Sequence, residues 1–398
     1  MTVSDDVSGA GNGTAAGNGT HAGNGTHAGV VKDAEAGAVS VQRSTRTSRI
    51  LGAGTVLAVV WLFSLAAGDV ASTQTKIVEM SVFVVIASMW NLLAGYTGLV
   101  SIGQQAFVGL GAYGLIVFAN RYNQDIYFAV LPAAIVGTIV SIAVAFVAFR
   151  LRGGYFAIGM WVIAEVVRLL VKQYKGDPIK GGSGTSLDAP TDLYPKVERF
   201  QTTALLALAL AVVAVIVVYL IMRSRLGLAL QAVRDNEGGA RGLGIDVYRA
   251  RFVVFVVAAL FTTAAGAVWY VLKLRVQPDT AFGVADWTAP IVVMVVIGGL
   301  GTIEGPVVGA VLWYLARDYV TRHGSAIHLD DDWYLIVTGL VAVLFALFVQ
   351  RGIWGTLQRR FAGLQLFPVR RRLIVSTRPG DESGDRAVDH RARNHIDG

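Results

Sequence analysis

The side chains in this sequence that could do chemistry are few, and they stand inside long apolar runs. Glu79, Glu165 and Arg168 are ionisable groups set among aliphatic residues, where a charge is costly and marks function by default. Glu165 and Arg168 are three apart on one helical face and can pair with each other. The other role open to Glu165 is toward the ammonium group of a bound solute. Gln104 and Gln105 are polar within another apolar run, and either hydrogen-bond between helices or line a path. These groups do not compose a centre for making or breaking bonds. The chain has no cysteine, hence no thiolate chemistry, disulfide or Cys-based metal site. Four of its six histidines, His21, His27, His390 and His395, lie in the tails. Gly109, Gly111 and Gly114 match G-x-G-x-x-G, but no strand precedes them, and a dinucleotide site needs a strand, a turn and then a helix. G-x-x-x-x-G-K-[ST] is absent as well. No catalytic residue, metal or cofactor is expected, and any work driven by ATP requires another polypeptide.

The elements that must position these residues are membrane spans. The chain is 54% hydrophobic and 15% charged, whereas soluble domains carry about 25% charged residues. Apolar segments fall at about 50–68, 77–95, 99–119, 127–149, 155–171, 202–222, 252–272, 286–300, 305–320 and 333–350, most near the ~20 residues that cross a lipid membrane. The expected architecture is all-α, a polytopic transmembrane helical protein with about ten spans, some of them broken by glycine. Residues 1–48 form a tail in which Gly-Asn-Gly-Thr recurs at 11–14, 17–20 and 23–26, a composition expected to stay flexible. Residues 49–361 form the membrane domain, and 362–398 a basic tail expected to be flexible. The net charge of +7 does not point to nucleic acid, because the arginines cluster beside spans or in tails.

Arginine placement orients the spans. Arg43, Arg46 and Arg49 precede the first, Arg150 and Arg152 follow the fourth, and Arg351, Arg359, Arg360 and Arg370 to Arg372 follow the last. By the positive-inside rule both termini are cytoplasmic, which argues against glycosylation at the N-x-Thr matches of Asn12, Asn18 and Asn24. The same parity puts the loop at about 172–201 outside, with its lysines and acids interleaved.

One long polar interruption, RSRLGLALQAVRDNEGGARGLGIDVYRAR from Arg223 to Arg251, divides the spans. Leu226, Leu230 and Val233 share a helical face, and Gly242 and Gly244 break the helix after them. This stretch resembles the cytoplasmic loop of ABC-importer permeases, with Arg234, Glu237, Ala240 and Gly244 at the matching positions. The local form resembles the permeases of branched-chain amino-acid importers in particular. The resemblance implies that the loop sits in a cleft of the ATPase subunit. Gly238 and Gly239 depart from the commoner alanines and weaken the helix by up to roughly 1 kcal/mol each. The segment from Trp90 to Tyr113, WNLLAGYTGLVSIGQQAFVGLGAY, resembles the same family. So does the Gly181-Gly182-Ser183 turn, for which the resemblance implies contact with a solute-binding protein.

Gly95 and Gly98 interrupt one apolar run and Gly298 to Gly305 another. Paired Gly-broken segments point to a transport path, for which the candidate residues are Gly98, Gly103, Gln104, Gln105, Glu165, Gly299 and Gly301. Close helix packing is the alternative reading of each glycine, since Gly301, Gly305 and Gly309 form a small-x-x-x-small ladder. The resemblance implies a plasma-membrane permease subunit that moves a small-molecule substrate by alternating access. It would work with a homologous permease, two ATP-binding cassette subunits and an extracytoplasmic solute-binding protein. Urea and short amides are the alternative substrates, and an ion-coupled secondary transporter is the rival mechanism.

Overall fold

A computed structural model of the chain describes residues 39–41, 70–188, 195–327, 340, 352–360 and 373–375. The expected spans at about 50–68 and 333–350 lie outside the described residues apart from Leu340, as do most positions of both tails. The chain divides into two units. In the first, Met1–Arg43 with Arg370–Gly398, strand β1 (Val39–Val41) pairs antiparallel with β4 (Leu373–Val375), Val39 opposite Val375.

The second unit, Ser44–Val369, is helical. Its elements are α1 (Val70–Thr97), α2 (Gln104–Ile116, continued by a π turn over Val117–Arg121), α3 (Val130–Ala148) and α4 (Gly154–Gln173). There follow β2 (Thr185–Ser186), α5 (Lys196–Arg223), α6 (Arg225–Asp235), α7 (Glu237–Gly242) and α8 (Val247–Lys273). After β3 (Arg275–Val276) come α9 (Pro278–Ala281), a π turn (Val284–Thr288), α10 (Ala289–Gly298), α11 (Glu304–Ile327) and α12 (Gly352–Arg360). Eight of the apolar segments read from the sequence therefore carry helix. Among the described residues five helices, α1, α3, α4, α5 and α8, are long and apolar enough to cross a membrane.

Burial ranks these helices. In α1, 94% of the apolar window is inside the protein, against 17% in α4, so α1 is central and α4 peripheral. Val82, Val85, Ile86, Met89 and Leu92 of α1 are fully buried, as are Val254, Ala258, Ala265, Val268 and Val271 of α8. Small residues let the backbones close up, the usual device where lipid offers no hydrophobic drive between helices. A Cβ on Gly111 would collide with Thr263 O of α8, and one on Gly266 with Val108 O of α2. Gly109 and Gly114 likewise face Phe282 and Ala133, so the G-x-G-x-x-G match is a packing surface. Gly305 and Gly309 seat α11 against Gly299 and Met294, as the ladder reading expects.

The segment 99–119 is not one full helix. Thr97 ends α1, Gly98 takes φ +74, and Leu99 N–H donates to Leu93 O at 3.2 Å. The chain then doubles back, since Trp90 Nε1 donates to Ser101 O at 2.8 Å. Helix resumes only at Gln104, whose amide reaches Thr262 Oγ1 near the middle of α8 at 2.6 Å. Helix α2 therefore starts about halfway along its neighbour and runs on to the opposite end, where Asn120 meets Ser186, and hydropathy could not distinguish the non-helical first half from helix.

Candidate functional site

The loop read as an amphipathic helix with a glycine stop is two helices. Asn236, at φ −154 and ψ 102, separates α6 from α7 and caps α7 by accepting from Gly239 N–H at 2.9 Å. The break therefore comes before Gly242 and Gly244, because an Asn cap competes well with helix continuation. Gly238 and Gly239 are accommodated within α7 behind that cap. At its end Gly244, φ +81, donates to Arg241 O at 2.9 Å and Ile245 N–H to Ala240 O at 3.0 Å. Those two bonds make a Schellman motif, whose C′ position favours glycine. Ala240 is buried in a small apolar cluster with Val233 and Val247, so the turn is pinned to both flanking helices. Glu237 pairs within the chain, to Arg241 at 2.6 Å and Arg251 at 3.0 Å.

Arg234 is exposed but reaches across to α1. Its guanidinium donates to Gly95 O at the end of α1. Asn91 of α1 fixes the second glycine break: its Nδ2 donates to Thr302 O and its Oδ1 accepts from Gly301 N–H, each at 2.8 Å. Gly301 has φ +75, and a Cβ there would lie 2.8 Å from the Arg234 guanidinium and 3.2 Å from Gly95 O. Gly299, φ +133, closes the same corner and is touched by Gly352 of α12. The end of α1, the second break and the loop thus meet in one knot of backbone polar groups, held by the side chains of Arg234, Asn91 and Thr302, whose hydroxyl donates to Gly299 O at 2.8 Å. Asn91 was a polar residue inside an apolar run, but sequence gave no sign that it would bridge to a segment 210 positions away.

The remaining candidates lie elsewhere. Gly103 packs against Met160 O of α4, and a Cβ there would collide with it. Gln104 holds α8, while Gln105 Oε1 accepts from Thr288 Oγ1 in the π turn before α10. Both glutamines are buried and hydrogen-bond between helices. Glu165 is paired with Arg168 at 3.0 Å, as its spacing suggests, and Arg168 also reaches Asp279. Lys172 completes this network to Asp279 at 3.1 Å, a bond that holds the Asp279 carboxyl below the usual carboxylate range. This cluster is at the end of the bundle opposite the loop, where β2 and β3 pair and Lys273 meets Glu79 at 2.9 Å. Gly181, Gly182 and Ser183 are at that end too. Gly181, at φ +60, is buried beneath Lys172 O, and Gly182 and Ser183 are exposed. The structure joins Arg234, Gly98's neighbour Gly95, Gly299 and Gly301, and leaves Glu165 apart from them. Among the described residues no group of three or more His, Asp or Glu could hold a metal ion.

Comparison with known proteins gives a family. The profile described as "Branched-chain amino acid transport system / permease component" matches residues 73–348. The high-affinity branched-chain amino acid transport system permease protein LivM of Salmonella typhimurium is 25% identical over 322 residues, 75% of this chain and 72% of that protein. The corresponding permease protein BraD of Pseudomonas aeruginosa is 25% identical over 69% of this chain and 92% of its own. A nucleoside ABC transporter permease protein, NupC of Lactococcus lactis, is 24% identical over 46% of this chain and 62% of its own.

Proposed function

Because the chain belongs to the permease family of branched-chain amino acid transport systems, we propose that it carries a branched-chain or closely related amino acid across the plasma membrane. It is a multi-pass membrane protein and a transporter subunit of the ABC class, a class that works with ATPase and binding-protein partners. In this reading it pairs with a homologous permease, two cytoplasmic ATPases and an extracytoplasmic solute-binding protein. In the same reading the loop from Arg223 to Arg251 and both termini face the cytoplasm, which the arginine distribution supports.

The observation that carries the mechanism is the bond from Arg234 to Gly95 O beside Gly301. When the ATPases close on ATP, they move α6 and α7 as one piece, because Asn236 caps α7 directly after α6 and Val233 of α6 packs against Ala240 of α7. Arg234 passes that movement to the ends of α1 and α10, where left-handed glycines give the backbone two soft points. Helix α1 is the buried centre of the bundle, so a shift at its end is felt by every helix packed on it. The solute passes at the interface with the second permease. Gly182 and Ser183, at the far end, are the contacts offered to the binding protein.

The test is ATP-driven uptake by the reconstituted complex with its own binding protein, offering leucine, inosine and urea in turn. Saturable leucine uptake that requires ATP is the expected result. Uptake of inosine or urea in preference to leucine would overturn the substrate assignment, and leucine uptake driven by an ion gradient without ATP would overturn the mechanism.

A further inference from the structure

At the end of the bundle opposite the loop, a cavity of about 320 Å³ opens among α1, α8, the π turn before α10 and α11. We propose that it is a binding site on this chain for a zwitterionic amino acid with an aliphatic side chain, an assignment that rests on the permease reading above. Its floor is three aromatic rings. Phe83, Trp269 and Trp287 stand with centroids 5.2–6.1 Å apart and are each at most 9% exposed. Trp269 meets Phe83 and Trp287 edge to face at 63° and 77°, and Phe83 and Trp287 are tilted at 44°. Together the three rings form an apolar corner. Trp287 is held there by its indole N–H, which donates to Thr280 O at 2.9 Å.

The rim carries both signs of charge. Asp286, Arg275 and Arg317 all line the cavity, and the Arg317 guanidinium is near enough to act on the Asp286 carboxylate. The Asp286 carboxylate lies over Gly283, where any Cβ would collide with it, so the turn is shaped to admit that side chain. Lys273 is already matched by Glu79 at 2.9 Å and packs over the Trp269 ring at 5.0 Å. An apolar corner between an acid and two arginines suits a molecule with an ammonium, a carboxylate and an aliphatic chain. The ammonium would face Asp286, the carboxylate Arg317 or Arg275, and the aliphatic chain the rings. A neutral sugar or nucleoside would use neither charge. The cavity lies where a solute handed over from outside would first meet this chain.

The test uses the permease pair assembled with its ATPases and without the binding protein, which would itself take up the probe. Tryptophan fluorescence is followed during titration with leucine, with leucinol (no carboxylate), with 4-methylpentanoate (no ammonium) and with inosine. Leucine should give a saturable change, with roughly tenfold or more weaker apparent affinity for either singly charged analogue. Asp286→Asn should erase the preference over 4-methylpentanoate, and Arg317→Gln the preference over leucinol. Each variant reports alone if the other fails to assemble. Trp287→Phe with Trp269→Phe should abolish the signal. Unchanged discrimination in the charge variants, a signal surviving loss of both tryptophans, or preference for inosine would overturn the site. ATP-driven leucine uptake without any signal overturns the site and spares the permease reading, whereas absence of that uptake removes the reading on which the site rests.

Discussion

Gly244 and Gly301 both hold a left-handed backbone, at φ +81 and φ +75, yet a side chain would harm them differently. Nothing lies within 4 Å of a Cβ at Gly244, so alanine there meets only the backbone cost, about 1–2 kcal/mol. Valine adds a β-branch that this region excludes. We predict that Gly244→Ala retains part of the ATP-dependent uptake and Gly244→Val loses nearly all of it, with both proteins still in the membrane. At Gly301 the same Cβ would press on the Arg234 guanidinium at 2.8 Å, so even Gly301→Ala should depress uptake sharply. Equal uptake by Gly301→Ala and wild type would show that the guanidinium gives way without loss of coupling. Glu237 is a milder case, because it and Arg241 are 36% and 55% exposed, although its second partner, Arg251, is only 21% exposed. Glu237→Ala should lower the unfolding midpoint only slightly, consistent with ~0–1 kcal/mol for such a pair. Gly244 was legible as a special backbone position because its spacing from Glu237 and Ala240 matched a pattern. Asn91 was not, because its meaning lies wholly in Gly301 and Thr302, which only the fold brings near.

The short helices α2 and α10 are where element-level reading was tested. Apolar runs located eight helices well, since hydropathy and length decide what can lie in lipid. They did not show that 99–119 opens without helix, because the six non-helical residues from Gly98 to Gly103 are as apolar as the helix they precede. What holds α2 in its half-way position is polar: Gln104 to Thr262 and Gln105 to Thr288, all four buried. Gln104→Leu or Gln105→Leu leaves a buried threonine hydroxyl with one partner fewer, a loss of about 1–3 kcal/mol. A lowered unfolding midpoint in detergent for each variant is the expected result. An unchanged midpoint in both would mean that glycine packing against α8 alone positions α2.

At the scale of the molecule, Arg234, Gly95 and Gly301 gather at one end while Glu165, Gly182 and the aromatic cavity sit at the other. Arginine placement predicts which end faces the cytoplasm, but it does not show that the loop is bonded directly to Gly95 beside Gly301. A reporter fused after Arg360 and another between Arg225 and Asp246 should both score cytoplasmic, and one at Ser183 external. An internal score at Ser183 would invert the proposed contact with the binding protein. The central claim is that Arg234 carries the movement of the loop into α1 and α10. Arg234→Gln removes the charged contact to Gly95 O but leaves Asn236, Ala240 and the Gly244 turn intact, so the loop should still dock on the ATPases. The decisive measurement is leucine uptake and binding-protein-stimulated ATP hydrolysis in the same Arg234→Gln proteoliposomes. Hydrolysis near the wild-type rate with uptake reduced roughly tenfold, an uncoupling of about 1.4 kcal/mol, is the predicted outcome. An unchanged ratio of leucine carried to ATP hydrolysed would contradict it.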